Sequence, residues 1–289
     1  ETHFLLVYKE STRNSKKKEL LPEALDYWNY LSACYWVIDA TYMADMAKAT
    51  GRDVARYEQI AQEGKDYIKK NFLNADGTFK TAILNTMQTP ALFALKNKLV
   101  DGKAKEDMIA RLRQNFADHG NCLQTGFLGT SILMATLTEN GMEDIAYELL
   151  FQRKNPSWLY SVDNGATTIW ERWNSYTLEN GMGPKGMNSF NHYAYGAVYD
   201  WIFSTALGIA PVESSPAYRE VSITPHPCRE LGFAKASIES RSGKITSHWY
   251  YKGDTVHYEF DIPEGVSAHI TLPGGFKRTI SSGNYLFVE

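Results

Sequence analysis

PEALDYWNYLSACYWVIDATYMADMAKATGRDVARYEQIAQEGKDYIKKNFLNADG, residues Pro22 to Gly77, decides the fold. In its first half Leu31, Tyr35, Ile38, Tyr42 and Met46 recur at spacings of three and four, the signature of one helix face, and Gly51 ends the run. A second helix opens at Asp53, carries Val54, Tyr57, Ile60, Ala61, Tyr67 and Ile68, and stops before the Asn74-Ala75-Asp76-Gly77 turn. So short a join makes the two helices antiparallel neighbours.

The same unit repeats downstream. Helix-period segments cover roughly 87 to 99, 103 to 118 with Met108, Leu112 and Phe116, 125 to 140, and 142 to 152 with Ile145 and Leu149. No strand pattern separates them, and the pairs are too dissimilar for a solenoid consensus, so an α/α toroid is expected. Residues 153 to 187 break the rhythm yet hold Trp158, Trp170 and Trp173, and loops of that length in compact domains are usually functional. A last helix is expected over about 188 to 206, through Tyr195, Val198 and Trp201, with Gly208 as its stop. That makes about seven helices, where a complete six-hairpin toroid has about twelve.

After Pro211 the period falls to two. Ile245, Ser247, Trp249 and Tyr251 alternate with Lys244, Thr246, His248 and Tyr250, while Val256, Tyr258, Phe260 and Ile262 alternate with His257, Glu259 and Asp261. Turns at Ser242-Gly243, Gly253-Asp254, Pro263 to Gly265, Pro273 to Gly275 and Ser281 to Asn284 cut the tail into about seven strands of an antiparallel β-sandwich. The division expected is therefore an irregular leader over 1 to 22, a partial (α/α)6 barrel over 23 to 210 and a sandwich over 211 to 289. In the leader, Ser11 to Lys18 (STRNSKKK) reads as a polar join.

Composition narrows the function classes. With 44% hydrophobic and 22% charged residues the chain is no disordered tail, and it has no apolar run long enough to span a bilayer. Net charge is −3 and the basic residues are scattered apart from Lys16 to Lys18, which leaves no footprint for nucleic acid. Cys34, Cys122 and Cys228 lie far apart without CxxC spacing, so neither a disulfide framework nor a zinc site is expected. No Asp-rich calcium loop occurs either, and neither metal nor cofactor is expected. The 7 Trp and 18 Tyr are suggestive because sugars stack their C–H faces on aromatic rings; a large aromatic core would explain them equally.

Chemistry concentrates in Gly165-Ala166-Thr167-Thr168-Ile169-Trp170-Glu171-Arg172-Trp173-Asn174-Ser175, which sets one carboxylate between two indoles inside the long loop. Glu171 could be a surface residue, solvated or paired with Arg172. It could also be a catalytic carboxylate. Inverting glycoside hydrolysis needs an acid to protonate the leaving oxygen and a base to activate water, about 6.5 to 9.5 Å apart. Glu171 suits the base if polar neighbours such as Arg172, Asn174 or Thr168 keep it ionised.

GATTIWERWNS, the preceding Pro156-Ser157-Trp158 and the downstream Ser189-Phe190-Asn191-His192-Tyr193-Ala194-Tyr195-Gly196 together resemble the α-L-rhamnosidases of glycoside hydrolase family 78. Gln88-Thr89-Pro90-Ala91-Leu92 and Thr125-Gly126-Phe127 agree more loosely, and the resemblance covers about residues 24 to 288. It implies an (α/α)6 barrel followed by a β-sandwich, acting on rhamnose-containing glycosides, oligosaccharides or polysaccharides with inversion. It also implies Glu171 as general base and His192 as a hydrogen-bonding partner of rhamnose hydroxyls, where His192 would otherwise read as a satisfied histidine at a helix start. Trp170, Trp173, Asn191 and Arg172 are the further substrate-binding residues expected, the indoles either stacking on the sugar or serving as core.

The resemblance breaks at the general acid. The family carries it in an acidic motif of the form Asp-x-x-Arg-Glu-Arg ahead of the first helix seen here, and Glu1, Glu10, Glu19, Glu23 and Asp26 lack that spacing. The expectation is a chain that is inactive alone, and whose uncovered helix faces associate with each other or with a missing amino-terminal part. Two other readings compete: another (α/α)6 glycosidase acting on glucosides, and a non-catalytic carbohydrate-binding protein using Trp249, Tyr250 and Tyr251. Alternation puts Trp249 and Tyr251 on one face of their strand and Tyr250 on the other.

Overall fold

A computed structural model describes residues 22–183 and 185–289, which fall into two compact units meeting between Tyr195 and Gly196. The leader, with its polar join and with Glu1, Glu10 and Glu19, lies outside the described residues.

The first unit is helical: α1 (Pro22–Ala49), α2 (Ala55–Phe72), α3 (Gln88–Lys96), α4 (Gly102–Asp118), α5 (Phe127–Glu139), α6 (Glu143–Phe151) and the short α7 (Trp158–Asp163). α1 packs along α2, and α3 lies against α1, α4 and α5. The expected stripe on α1 is only partly the buried one, since Leu31 is buried while Tyr42 and Met46 are exposed. The helix is apolar almost all round, so periodicity alone misplaces its face. Its core side is instead rich in small residues, Ala33, Cys34, Val37, Ala40, Ala44 and Ala47. That choice permits close approach of α2, where a Cβ added at Gly64 would stand 2.8 Å from Val37 Cγ2. Tyr30 anchors the pair to α3 by donating its hydroxyl to Pro90 O at 2.8 Å. On α2 the buried residues are Ala61, Gly64, Ile68 and Phe72, while Tyr67 is exposed.

Two expectations for the loop and last helix are corrected. The segment 153 to 187 contains α7, started by Ser157 Oγ accepting the Tyr160 N–H at 3.1 Å, and a hairpin of β1 (Tyr176–Thr177) with β2 (Gly181–Met182). The last helix begins not at 188 but with a 3-10 turn at Ala194–Ala197, runs as α8 (Val198–Trp201) and ends in a π turn at Ile202–Ala206. Residues 188 to 192 are withheld from the helix because their backbone pairs elsewhere, as described below.

The second unit is a sandwich of two four-stranded sheets, in the orders β10-β7-β6-β5 and β3-β4-β8-β9. The strands are β3 (Ile209–Pro211), β4 (Glu220–Ile223), β5 (Phe233–Ser240), β6 (Gly243–Lys252), β7 (Thr255–Ile262), β8 (Ser267–Thr271), β9 (Lys277–Ile280) and β10 (Gly283–Val288). All neighbours are antiparallel except β4 and β8, which run parallel. The core takes the predicted inward set, Ile245, Trp249, Tyr258, Phe260 and Ile262, against Val221, Ile223, Ala268 and Ile270. Each buried Val, Ile or Phe of this set contributes about 1.5 to 3 kcal/mol. Trp249 Nε1 donates to Ala206 O at 2.7 Å and Ser247 Oγ to Leu207 O at 2.9 Å, which ties the helical turns to the sheet within this unit.

Gly208 makes that join possible. Its φ is +75°, and an added Cβ would meet Thr224 C at 2.1 Å and Pro225 N at 2.3 Å, backbone atoms that cannot swing aside. Gly208→Ala therefore combines left-handed strain with a backbone clash, and is expected to cost at least about 2 kcal/mol. Gly51→Ala, where φ is +66° in open space, should cost about 1 kcal/mol. Urea midpoints of the two variants read the comparison; equal midpoints would contradict the steric account.

Candidate functional site

Two segments of the first unit run side by side and exchange backbone hydrogen bonds. Glu171 N–H donates to Ser189 O at 2.8 Å, His192 N–H donates to Ile169 O at 2.8 Å, and Thr168 Oγ1 donates to Phe190 O. This ladder consumes the backbone of 189 to 192. It also brings the WERW and SFNHYA elements, distant in sequence, onto one structure.

Glu171 is 9% exposed. Its Oε2 accepts the Ser189 N–H at 2.7 Å, so Ser189 holds both the backbone and the carboxylate of the same residue. Arg172, Asn174 and Thr168, the neighbours expected to serve the carboxylate, do not hold it. Thr168 is turned to Phe190, Arg172 N–H donates to Ser175 Oγ at 3.1 Å, and Asn174 Oδ1 is buried without a partner among the described residues. Among those residues Glu171 makes no ion pair, so it is neither the solvated nor the Arg172-paired glutamate that a bland reading would give. Ser189 was missed in the sequence because a backbone N–H donor has no side-chain signature.

The indoles are walls. Trp170 and Trp173 are each 7% exposed. Trp173 Nε1 donates to Thr125 O at 2.7 Å, and its ring lies 3.8 Å from that of Tyr195 at 13°, with Trp158 edge-on at 5.5 Å. Trp158 Nε1 in turn donates to Tyr195 O at 2.8 Å. Trp170 meets Phe190 edge-on at 5.2 Å. Both indoles, with Arg172 and Ile169, border a cavity of about 60 Å³ that Glu171 and His192 do not line. Arg172 is half-buried there and forms no ion pair among the described residues.

His192 stands at the end of the ladder. Its ring stacks on Phe127 at 4.7 Å and 13°, with Tyr193 parallel to it at 5.4 Å. Ala194 N–H reaches His192 Nδ1 at 3.3 Å, so in the neutral ring the proton sits on Nε2, which becomes the donor. Asn191 is exposed; its N–H donates to Ser189 Oγ at 3.1 Å. The structure thus gathers Glu171, His192, Asn191 and Ser189 along one ladder and sends Trp170, Trp173 and Arg172 to the packing beside it. Phe127 and Tyr195 join the site through ring contacts that no local spacing announces. Among the described residues no group of three His, Cys, Asp or Glu side chains gathers as metal ligands, and no helix is long and apolar enough to cross a membrane.

Comparison with known proteins agrees with this architecture. Residues 24–206 match the model of the bacterial alpha-L-rhamnosidase 6 hairpin glycosidase domain, and residues 208–287 that of the bacterial alpha-L-rhamnosidase C-terminal domain. An alpha-L-rhamnosidase of Formosa agariphila is 36% identical over 264 residues, covering 90% of this chain and 28% of that protein. Among solved structures, the Streptomyces avermitilis alpha-L-rhamnosidase complexed with L-rhamnose superposes with a TM-score of 0.83 at 30% identity, over 90% of this chain and 26% of that one. The native Aspergillus terreus enzyme gives 0.81 at 28% identity, over 88% and 30%. The chain thus spans between a quarter and a third of the length of these relatives.

Proposed function

We propose, for a chain that belongs to the bacterial alpha-L-rhamnosidase family, that it supplies the base-bearing wall of an inverting glycosidase site releasing terminal α-L-rhamnose. The observation that carries this is the Glu171–Ser189 clasp. A buried carboxylate with Oε2 committed to a backbone N–H keeps its orientation and leaves Oε1 to take a proton from water.

In this reading water lies between Glu171 and the anomeric carbon, and an acid about 6.5 to 9.5 Å away protonates the leaving oxygen. That acid comes from the part of the parent protein outside this chain. His192 Nε2–H donates to a rhamnose hydroxyl, its ring fixed by Phe127. Trp170 and Trp173, nearly closed off from solvent, hold the ladder in place. Asn191 borders the sugar, while Arg172 lines the cavity behind the two indoles. Hydroxyl recognition carries most of the specificity, because a single methyl group discriminates by only about 1 to 3 kcal/mol.

The intact parent tests this directly. Among nitrophenyl glycosides it should cleave the α-L-rhamnoside, and proton NMR should show β-L-rhamnose as the anomer released first. Cleavage confined to glucosides would favour the other toroid glycosidases, and α-L-rhamnose appearing first would make the mechanism retaining.

A further inference from the structure

The outward face of the β10-β7-β6-β5 sheet is built as a small ordered surface. Cross-strand register aligns Phe233, Tyr250, His257 and Val288 in one row, and Lys235, His248, Glu259 and Leu286 in the next. The opposite side of the same strands carries the buried Trp249 and Tyr258, so both rows face away from the core. Phe233 is 63% exposed and Leu286 60%. The Tyr250 and His257 rings are parallel at 5.1 Å and 11°, with His248 at 4.9 Å from Tyr250. Glu259 is held from two sides: Tyr250 Oη donates to Oε1 at 3.1 Å, and His248 Nδ1 lies 2.9 Å from Oε2.

We propose that this face binds a neutral oligosaccharide, as a site separate from the Glu171 ladder. Aromatic rings offer apolar surface to sugar C–H groups, while an oriented carboxylate and Lys235 offer a hydroxyl both an acceptor and a donor. The hydrogen bonds from His248 and Tyr250 hold the Glu259 carboxyl below its ordinary range, which keeps it an acceptor.

Charge and size choose the occupant. Lys235 and Glu259 offset each other within the two rows, which suits an uncharged ligand better than a polyanion or an acidic membrane. Four strands span about 14 Å, and two rows spaced about 7 Å apart, with the width of their side chains, make a patch of roughly 14 by 10 Å. That is far below the ~800 Å² per partner of a stable protein interface, so a second copy of the chain is a poor fit and a short sugar chain a good one.

The test is calorimetric titration of a neutral hexasaccharide ending in α-L-rhamnose into the 289-residue chain carrying Glu171→Gln, which prevents turnover. The choice of a rhamnose-ended probe rests on the proposed function; the binding readout does not depend on hydrolysis. Binding is expected, and Phe233→Ala or Tyr250→Ala added to that background should weaken it about tenfold. Phe233 projects into solvent, so its replacement leaves the fold intact even if Tyr250→Ala does not. Absence of binding overturns the inference, as does binding that ignores both substitutions or is abolished by His192→Ala. Rhamnoside turnover by the parent fails or succeeds independently of all these outcomes.

Discussion

Glu171→Gln in the intact parent is expected to lower kcat by about 10²- to 10⁴-fold, the range typical of a lost general base. The substitution is close to isosteric. A glutamine oxygen can still accept the Ser189 N–H that now reaches Oε2 at 2.7 Å, and the backbone bond from Glu171 N–H to Ser189 O is untouched. What disappears is the ability to take a proton from water, so the loss should fall on kcat with KM little changed. His192→Ala makes the contrasting case: it removes the donor proposed to reach the bound sugar and should act on KM as well. A Glu171→Gln parent retaining more than a tenth of its kcat would end the base assignment, whatever the resemblance of the surrounding sequence.

The contrast between Glu171 and its partner shows what the sequence could and could not disclose. Glu171 stands out in the sequence because two tryptophans and a long stretch without a helix-period pattern frame it. Ser189 does not, because it acts through backbone atoms and reaches Glu171 across 18 positions. The same ladder explains the misplaced start of the last helix. Residues 188 to 192 have a helix-compatible pattern, yet Glu171 and Ile169 claim their backbone groups first, and the helical turns begin only at Ala194.

Elsewhere legibility followed the sharpness of the pattern. Strands β6 and β7 alternate cleanly, so the alternation alone separates the inward residues, Trp249 and Tyr258 among them, from the outward ones. On α1 the apolar residues surround the helix, and the buried face was decided by the need to admit Gly64 of α2, a tertiary fact. The parallel pairing of β4 with β8 joins strands far apart in the chain and leaves no local trace.

The chain purified alone is expected to turn over an aryl α-L-rhamnoside at least about 10²- to 10⁴-fold more slowly than its parent, because the proton donor is proposed to lie elsewhere. The acids of the long loop do not replace it. Asp163 is turned to Arg153 at 2.5 Å, and Glu179 sits exposed in the turn of the β1–β2 hairpin. Neither bonds to the Glu171–Ser189 ladder among the described residues. A second consequence arises on α1, where Leu25, Trp28, Trp36, Tyr42, Met43 and Met46 are exposed, a concentration of large apolar side chains that drives association. Sedimentation of the isolated chain should therefore show self-association, and adding the preceding part of the parent should dissolve those assemblies and restore turnover together. The two effects are linked because the segment that covers α1 is proposed to belong to the same part that brings the acid. A clean monomer with parent-like turnover would refute both halves. Restored turnover without loss of self-association would show that the acid arrives without covering α1.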